Sequence, residues 1–209
     1  MKIGIIGTGN MGTGFCKCLS KTSHQVFIGS RDPEKAKKMA KSFGKNFNGG
    51  SIKKAGELGD VVILAVPWHS IKDVLAQTGD LTGKTVVDIT NPLTQDFTGL
   101  DVGFTTSAAE EIAKLVPKAK VVKAFNTIFA DILKGSLKFK EGPANVFICG
   151  DDQKAKLNVS ELSKDIGFDP VDVGPLNRAR FVEPLGMLNI ICGYHQKMGT
   201  NIAFRLIRK

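Results

Sequence analysis

A glycine-rich turn directly follows the first apolar segment of the chain and precedes an amphipathic run. Residues 2–14 read KIGIIGTGNMGTG, in which Gly7, Gly9 and Gly12 have the spacing G-x-G-x-x-G. In a strand–turn–helix of this kind the first glycine allows the tight turn, the second lets the backbone approach a pyrophosphate, and the third lets the helix pack closely on the sheet. The helix N-terminus then faces the anion with free N–H groups and the positive end of its dipole. The segment therefore predicts a dinucleotide site, and the alternative is a glycine-rich turn without a ligand.

The end of the second predicted strand, residues 25–28, indicates which dinucleotide is bound. NAD sites place an acidic residue about 20 residues after the glycines, where it accepts hydrogen bonds from the ribose 2′-hydroxyl. Here Ser30 and Arg31 occupy that place, with Lys35 one helical turn later. Asp32 is predicted to cap the next helix instead. A hydroxyl and two cations suit a 2′-phosphate, so we expect NADP(H), and ordinary surface charge is the alternative.

Composition limits the classes of function. The chain has 209 residues, 42% of them hydrophobic, four cysteines and a formal net charge of +9. Its lysines are dispersed and no nucleic-acid-binding motif is present, so we interpret the charge as a steering field for anionic cofactors, with no nucleic-acid partner. The longest apolar stretch, residues 61–68, is far shorter than the ~20 residues of a membrane-spanning helix, and no signal peptide is recognised. We therefore expect a cytoplasmic protein without a membrane partner, and cysteine spacing predicts no metal site.

Strands and helices alternate along the chain, which predicts an α/β fold: a Rossmann-type, doubly wound and mainly parallel sheet. We expect a single NADP-binding domain over residues 1–209, in which residues 151–209 form a short C-terminal helical segment packed on the sheet. A stripe of Leu185, Leu188, Ile191 and Cys192 in that segment is interpreted as facing the core, with a dimer interface as the alternative. Beyond the first β–α–β unit, the candidate strands are residues 61–66, 85–89, 121–124 and 145–149, and the candidate helices start at Pro33, Ser51, His69, Ser107, Asp152 and near Leu176.

In a doubly wound sheet the ligand lies beyond the carboxyl ends of the strands, so the loops that follow the strands are the candidate site. They supply apolar surface and neutral amides, which suit a nicotinamide held against a second ring, and they contain no nucleophile with its base. His69 could donate a proton but more simply caps a helix or meets solvent, and Lys123 is interpreted as structural. We therefore predict no catalytic side chain. The candidate loops are residues 8–11, 30–31, 65–69, 90–93 and 125–128, and the site residues selected within them are Thr8, Gly9, Asn10, Met11, Ser30, Arg31, Val66, Pro67, Trp68, Asn91, Pro92, Leu93 and Asn126.

Several of these loops carry a family resemblance. The motifs are the glycine loop, GSR at 29–31 with Lys35, AVPW at 65–68, KAFNT at 123–127, CGD at 149–151, DVGPL at 172–176, AR at 179–180 and EP at 183–184. In this order they cover nearly the whole chain and resemble the NADPH-dependent reductases of the deazaflavin coenzyme F-420 (F420). The resemblance implies a Rossmann-type domain with a short C-terminal helical segment, a homodimer, and reversible hydride transfer between NADP(H) and a flavin-like ring. It also implies that Thr8, Gly9, Asn10, Met11, Ser30, Arg31 and Lys35 hold the adenosine phosphates, that Trp68, Asn91, Leu93 and Ala130 line the nicotinamide end, and that Asn126 lies on the acceptor side.

One departure from the family leaves the small-molecule hydride acceptor open. The archaeal F420 enzymes carry His where this chain has Asn126, whereas the KAFN segment resembles bacterial relatives and the cytosolic domain of membrane ferric reductases, which passes hydride from NADPH to a flavin. The acceptor is therefore F420, FMN, FAD or a small oxidised molecule. Two further functions stay open: an NADPH-dependent dehydrogenase or reductase of a small carbonyl or imine substrate, and a non-catalytic NADPH-sensing regulator. The carbonyl and imine enzymes expect a large helical C-terminal domain, for which the residues after Gly150 are too few.

Overall fold

One eight-stranded sheet organises the protein in a computed structural model, which describes residues 1–207 and residue 209. The strands are β1 Lys2–Ile6, β2 Gln25–Ser30, β3 Phe47–Ser51, β4 Val61–Leu64, β5 Thr85–Asp88, β6 Lys120–Lys123, β7 Asn145–Gly150 and β8 Asp169–Gly174. Their order is β3-β2-β1-β4-β5-β6-β7-β8. Strands β1 to β6 are parallel, and β7 and β8 run antiparallel to them. The chain reverses its direction of travel across the sheet between β1 and β4, which is where such sheets bind ligands.

Helices cover both faces of this sheet. They are α1 Asn10–Leu19, α2 Pro33–Lys41, α3 Ile52–Leu58, α4 Ile71–Leu75, α5 Ala108–Leu115, α6 Ala130–Lys134, α7 Gln153–Ile166 and α8 Ala179–Ile190. Short 3-10 turns, Trp68–Ser70 and Leu176–Arg178, precede α4 and α8, and α8 continues into a π-helical turn, Ile191–His195. Within the described residues, no helix combines the length and apolar character that crossing a membrane requires.

Strand β4 is buried on both faces, so it reads as an unbroken apolar run, VVIL. In β4, Val61 and Ile63 enter the hydrophobic cluster that includes Phe15 of α1, whereas Val62 and Leu64 enter the cluster on the opposite face. Successive side chains of a strand point to opposite faces, which produces this division. The predicted doubly wound, mainly parallel sheet is confirmed.

Two helix starts read from the sequence are also confirmed, and both rest on side-chain caps. The Asp32 carboxylate accepts hydrogen bonds from the backbone N–H groups of Glu34 and Lys35, at 3.0 and 3.1 Å. At the start of α5 the Ser107 hydroxyl accepts from the Glu110 N–H at 3.2 Å. Each cap satisfies an N–H that has no partner inside its helix.

The sequence did not indicate β3, α6 or β8. Strand β3 reads FNGGS, and glycine and asparagine are depleted in strands. Gly49 is required there by a close approach, because a Cβ at this position would lie 2.3 Å from the carbonyl oxygen of Ala36 in α2. Strand β8 pairs with β7, so residues 151–209 add a strand to the sheet as well as helices.

The interpretation of the stripe in α8 as core-facing was also wrong. Leu188 is 47% exposed, and Leu185, Ile191 and Cys192 are only partly buried. The buried residues of α8 are Ala179, Val182, Glu183, Gly186, Met187 and Asn189. Apolar periodicity misassigned the faces because the inward face carries a glutamate, a glycine and an asparagine, which contact polar groups at the sheet edge.

Candidate functional site

The glycine loop joins β1 to α1 at the carboxyl edge of the sheet. Gly7 has a φ of +123°, and a Cβ there would lie 2.2 Å from the Ala65 carbonyl oxygen. A Cβ at Gly12 would lie 2.1 Å from the Gly7 carbonyl oxygen, so α1 packs directly on the loop. A Cβ at Gly9, by contrast, meets no atom within 4 Å, and no side chain caps α1 at this residue. The loop therefore leaves open space in front of uncapped backbone N–H groups, an arrangement that can hold a phosphate.

The end of β2 presents two cations next to that loop. The Gly7 N–H donates to the Gly29 carbonyl at 2.9 Å, which fixes the end of β2 against the glycine loop. Arg31 and Lys35 are exposed, and neither forms an ion pair within the part of the chain that the structure describes. Asp32 Oδ1 accepts both capping hydrogen bonds of α2, which holds this carboxylate at the start of that helix. This end of the loop can therefore bind an anion.

The loop after β4 borders the glycine loop on its other side. Val66 lies within 3.2 Å of the Cβ position of Gly7, and Val66 and Trp68 pack against the cluster below. Pro67 precedes the 3-10 turn and is exposed, as is His69. His69 does not line the cavity that begins at the first turn of α1, so the geometry gives it no contact there.

A cavity of about 570 Å³ begins at the first turn of α1. Six predicted site residues line it: Asn10, Met11, Asn91, Leu93, Asn126 and Ala130. The other predicted residues lie outside it, namely Thr8, Gly9, Ser30, Arg31, Lys35, Val66, Pro67, Trp68 and Pro92. Phe125 and Ile128, which also line the cavity, belong to the predicted loop 125–128. The sequence analysis did not place the remaining lining residues in the site: Ile89, Phe97, Phe129, Gly186, Asn189, Ile190, Tyr194 and His195.

Two asparagines from neighbouring strand ends are locked together in the wall of this cavity. The Asn91 side-chain nitrogen donates to the Asn126 backbone oxygen at 2.8 Å, and the Asn126 nitrogen donates to Asn91 Oδ1 at 3.0 Å. The same Asn126 nitrogen donates to the carbonyl of Val182 in α8 at 2.8 Å. A Cβ at Gly186 would lie 2.4 Å from Asn91 Oδ1, so only glycine lets α8 approach the pair. Phe125, buried beside the pair, has a φ of +60°, a conformation that surrounding contacts must enforce.

A buried ion network lies beneath the asparagine pair. Lys123 Nζ donates to Asp88 Oδ2 at 2.8 Å and to Glu183 Oε1 at 2.7 Å, and all three side chains are fully buried. Its third hydrogen bond goes to the carbonyl oxygen of Thr90 at 2.6 Å. Asp88 also accepts from the N–H and hydroxyl of Thr90, each at 2.8 Å. The network thus holds the residue that directly precedes Asn91, in agreement with a structural role for Lys123.

Glu183 connects the same network to α5. Its carboxylate accepts from the backbone N–H groups of Ala108 and Ala109, at 2.9 and 3.2 Å, at the N-terminus of that helix. Burial raises the pKa of Glu183, and the Lys123 ammonium opposes that shift. For Lys123, burial works to lower the pKa, but the Asp88 and Glu183 carboxylates outweigh burial and raise it. Lys123 is therefore held as a cation, and its ammonium group donates three hydrogen bonds within the protein.

The cysteines contribute no reactive group to the cavity. Burial raises the pKa of Cys16 to about 12, of Cys18 to about 11 and of Cys149 to about 12. Thiols with such pKa values are protonated at neutral pH and react poorly. Among the described residues, no group of three or more metal-ligating side chains is brought together.

A family model described as NADP oxidoreductase, coenzyme F420-dependent, matches residues 2–92, which include the glycine loop and the end of β2. Over 208 residues the chain is also 31% identical to the F420-dependent NADP reductase of Methanothermobacter marburgensis, and the match covers 91% of each chain. The chain belongs to this family. The sequence resemblance implied this family, and the family's description names NADP as the dinucleotide.

The chain is also similar to a metalloreductase and to a protein of known structure. It is 33% identical over 190 residues to metalloreductase STEAP3 of Rattus norvegicus, which covers 90% of this chain and 37% of the relative. The chain thus spans little more than a third of the length of that metalloreductase. A solved structure from Arthrobacter sp. FB24, described as a candidate F420-dependent NADP reductase, matches over the full length of both chains with a TM-score of 0.89 and 30% identity.

A more distant structure has the same fold. The reductive aminase of Aspergillus terreus, solved with NADPH and ethyl-5-oxohexanoate, has a TM-score of 0.68 at 18% identity and is covered over 63% of its chain. At this identity the likeness concerns the fold alone.

Proposed function

We propose that this oxidoreductase transfers hydride between NADP(H) and the ring of a deazaflavin or flavin, with F420, FMN and FAD as the candidate acceptors. The observation that carries the proposal is the cavity beside the glycine loop. Its volume, about 570 Å³, lies in the usual range of small-molecule sites, roughly 300–1,000 Å³. Four aromatic side chains line it: Phe97, Phe125, Phe129 and Tyr194. Flat apolar walls next to a dinucleotide loop suit a second ring stacked against a nicotinamide.

The predicted site residues divide between two ends of the ligand. We assign the adenosine and phosphate half to the exposed end of the site and the nicotinamide half to the cavity mouth. The first group comprises Thr8, Gly9, Asn10, Met11, Ser30, Arg31 and Lys35. The second comprises Val66, Pro67, Trp68, Asn91, Pro92, Leu93 and Ala130, with Asn126 on the acceptor side.

The proposed chemistry needs positioning and no acid or base residue. NADPH supplies a hydride from C4 of its nicotinamide, and transfer requires the reacting atoms about 3–3.5 Å apart. Three hydrogen bonds fix the Asn91–Asn126 pair: two join the asparagines to each other and one goes to the Val182 carbonyl. A pair fixed in this way can hold a ring in one place. His69 is exposed and outside the cavity, which supports the view that it takes no part.

An exposed apolar face supports the homodimer that the family resemblance implies. Phe181 of α8 is 65% exposed and Leu188 is 47% exposed, with Leu185 between them. An apolar helix face of this kind is typical of a protein–protein contact. We propose that α8 packs against a second copy of the chain, which sedimentation equilibrium of the purified protein tests.

The acceptor is identified by following NADPH oxidation with a panel of oxidised F420, FMN, FAD, a quinone, a ketone and a cyclic imine. We expect turnover with at least one of the three ring coenzymes, and deuterium from nicotinamide C4 should appear at C5 of the deazaflavin. Turnover of the ketone or imine alone would support a carbonyl or imine reductase instead. Tight NADPH binding with no acceptor reduced would support a nucleotide sensor.

Replacing Arg31 by alanine should remove most of the preference for NADPH over NADH. A charge-assisted hydrogen bond to the 2′-phosphate contributes about 1.5–3 kcal/mol, so NADPH affinity should fall by about 10- to 10²-fold while NADH affinity stays the same. Calorimetric titration of both nucleotides measures this. Arg178→Ala, at an exposed arginine of the 3-10 turn before α8, is the control. Equal affinities of the unmodified protein for NADPH and NADH would contradict the 2′-phosphate assignment.

A further inference from the structure

Four asparagines line the cavity: Asn10 is exposed, whereas Asn189 of α8 lies in the inner wall together with Asn91 and Asn126. The Asn189 side-chain nitrogen donates to the Thr127 carbonyl oxygen at 2.9 Å. All three amide nitrogens of this wall therefore already donate to protein oxygens. Their orientations are fixed by those bonds, because turning the Asn126 or Asn189 amide would place its oxygen against a carbonyl oxygen.

The amide oxygens of the wall are not satisfied in the same way. Asn91 Oδ1 accepts from Asn126, but within the described residues neither Asn126 Oδ1 nor Asn189 Oδ1 accepts a hydrogen bond. Asn126 Oδ1 is fully buried, so a ligand in the cavity does not reach it. Asn189 is only 3% exposed, but its side-chain oxygen keeps some solvent contact, and the residue lines the cavity. A ligand in the cavity therefore meets one unpaired hydrogen-bond acceptor in this wall. It is the side-chain oxygen of Asn189, which is nearly buried.

We propose that Asn189 accepts a hydrogen bond from an N–H group of the hydride acceptor. This inference rests on the proposed hydride transfer to a ring and names the feature of the ring that is recognised. Flavins and deazaflavins share a pyrimidinedione edge with one N–H, at N3. Quinones and ketones carry only acceptor oxygens on their reacting groups, so they leave the buried Asn189 oxygen unpaired when they displace water from the cavity.

An unpaired buried acceptor penalises binding of the wrong ligand, and this is how a hydrogen-bonding site rejects analogues that lack the donor. The groups that could serve a carbonyl ligand instead are at the rim. Tyr194 is 61% exposed, and Asn10 and His195 are exposed as well, so water competes with a ligand for all three. The buried wall therefore selects for the donor, and Asn189 is its specificity-determining residue.

The test compares 5-deazariboflavin with 3-methyl-5-deazariboflavin, in which a methyl group replaces the N3 hydrogen. Their dissociation constants are measured in the presence of NADP⁺, and their kcat/KM values are measured with NADPH. The unmodified protein should bind and reduce the 3-methyl compound about 10- to 100-fold less well. Asn189→Leu, which has a similar branched shape but no acceptor, should bring both ratios close to one. Asn177→Leu, at an exposed asparagine outside the cavity, should keep the ratios of the unmodified protein.

Equal binding of the two compounds by the unmodified protein would overturn the inference, and that measurement needs no variant to fold. A folded Asn189→Leu protein that still discriminates would also overturn it, because the methyl group would then be excluded by its size. Failure of the proposed function gives a different result, in which neither compound is reduced although NADPH binds. Equal reduction of both compounds would leave the hydride transfer intact and remove only the role of Asn189.

Discussion

Replacing Lys123 by methionine should lower the free energy of unfolding by about 3–5 kcal/mol, the usual cost of breaking a buried ion pair by removing one partner. Lys123 is fully buried and donates to Asp88 at 2.8 Å and to Glu183 at 2.7 Å. Methionine fills most of the volume but leaves two carboxylates without their cation. Denaturant unfolding, followed by circular dichroism, measures the change as a shift in the midpoint.

Lys120→Met is the matched control, because Lys120 lies in the same strand, β6. Its ammonium lies 3.6 Å from the Asp152 carboxylate at the surface, where an ion pair contributes only about 0–1 kcal/mol. A triple variant in which Lys123→Met is combined with Asp88→Asn and Glu183→Gln should recover part of the loss, because no buried charge then remains unpaired. A loss at Lys123 no larger than that of Lys120→Met would show that the carboxylates become protonated at little cost.

The shape of the glycine loop could be predicted from the sequence because it depends on local backbone. Gly7, Gly9 and Gly12 lie within one strand–turn–helix, and their spacing alone dictates where the backbone can approach a phosphate. Asp32 was correctly read as a cap because a cap acts on N–H groups two and three residues away. Short-range geometry of this kind is encoded in a few consecutive residues.

The inner wall of the cavity could not be read in the same way. Glu183, Gly186 and Asn189 are spaced three residues apart on one face of α8, a pattern that resembles a solvated face. Their burial follows from partners far away in the chain: Lys123 for Glu183, and Asn91 for Gly186. A helix face with a small residue between two polar ones is the one signal that could have indicated contact with a polar site.

The sheet was predicted in its centre and missed at its edges for a related reason. Strand β4 reads VVIL, and β5 and β6 read TVVD and KVVK, so each contains consecutive β-branched apolar residues that make a buried strand recognisable. The outer strands β3 and β8 read FNGGS and DPVDVG, and their pairing is decided by neighbouring elements more than by propensity. In β3, for example, Gly49 is present because α2 lies too close for a side chain.

Replacing Gly9 by valine should abolish NADPH and NADP⁺ binding and leave the fold intact. A Cβ at Gly9 meets no atom within 4 Å, and the residue has a φ of −83°, which any amino acid adopts. The branched side chain would instead fill the space in front of the first N–H groups of α1. Loss of two charge-assisted hydrogen bonds to the pyrophosphate costs about 3–6 kcal/mol, which lowers affinity by about 10²- to 10⁴-fold.

The neighbouring glycines separate loss of binding from loss of the fold. Gly103 is also surrounded by open space, so Gly103→Val should change neither stability nor NADPH affinity. Gly12→Val should destabilise the protein, because its Cβ would lie 2.1 Å from the Gly7 carbonyl oxygen. Thermal unfolding and calorimetric titration of the three variants measure both properties. A stable Gly9→Val protein that binds NADPH as tightly as Gly103→Val would show that the loop is a turn and that the pyrophosphate lies elsewhere.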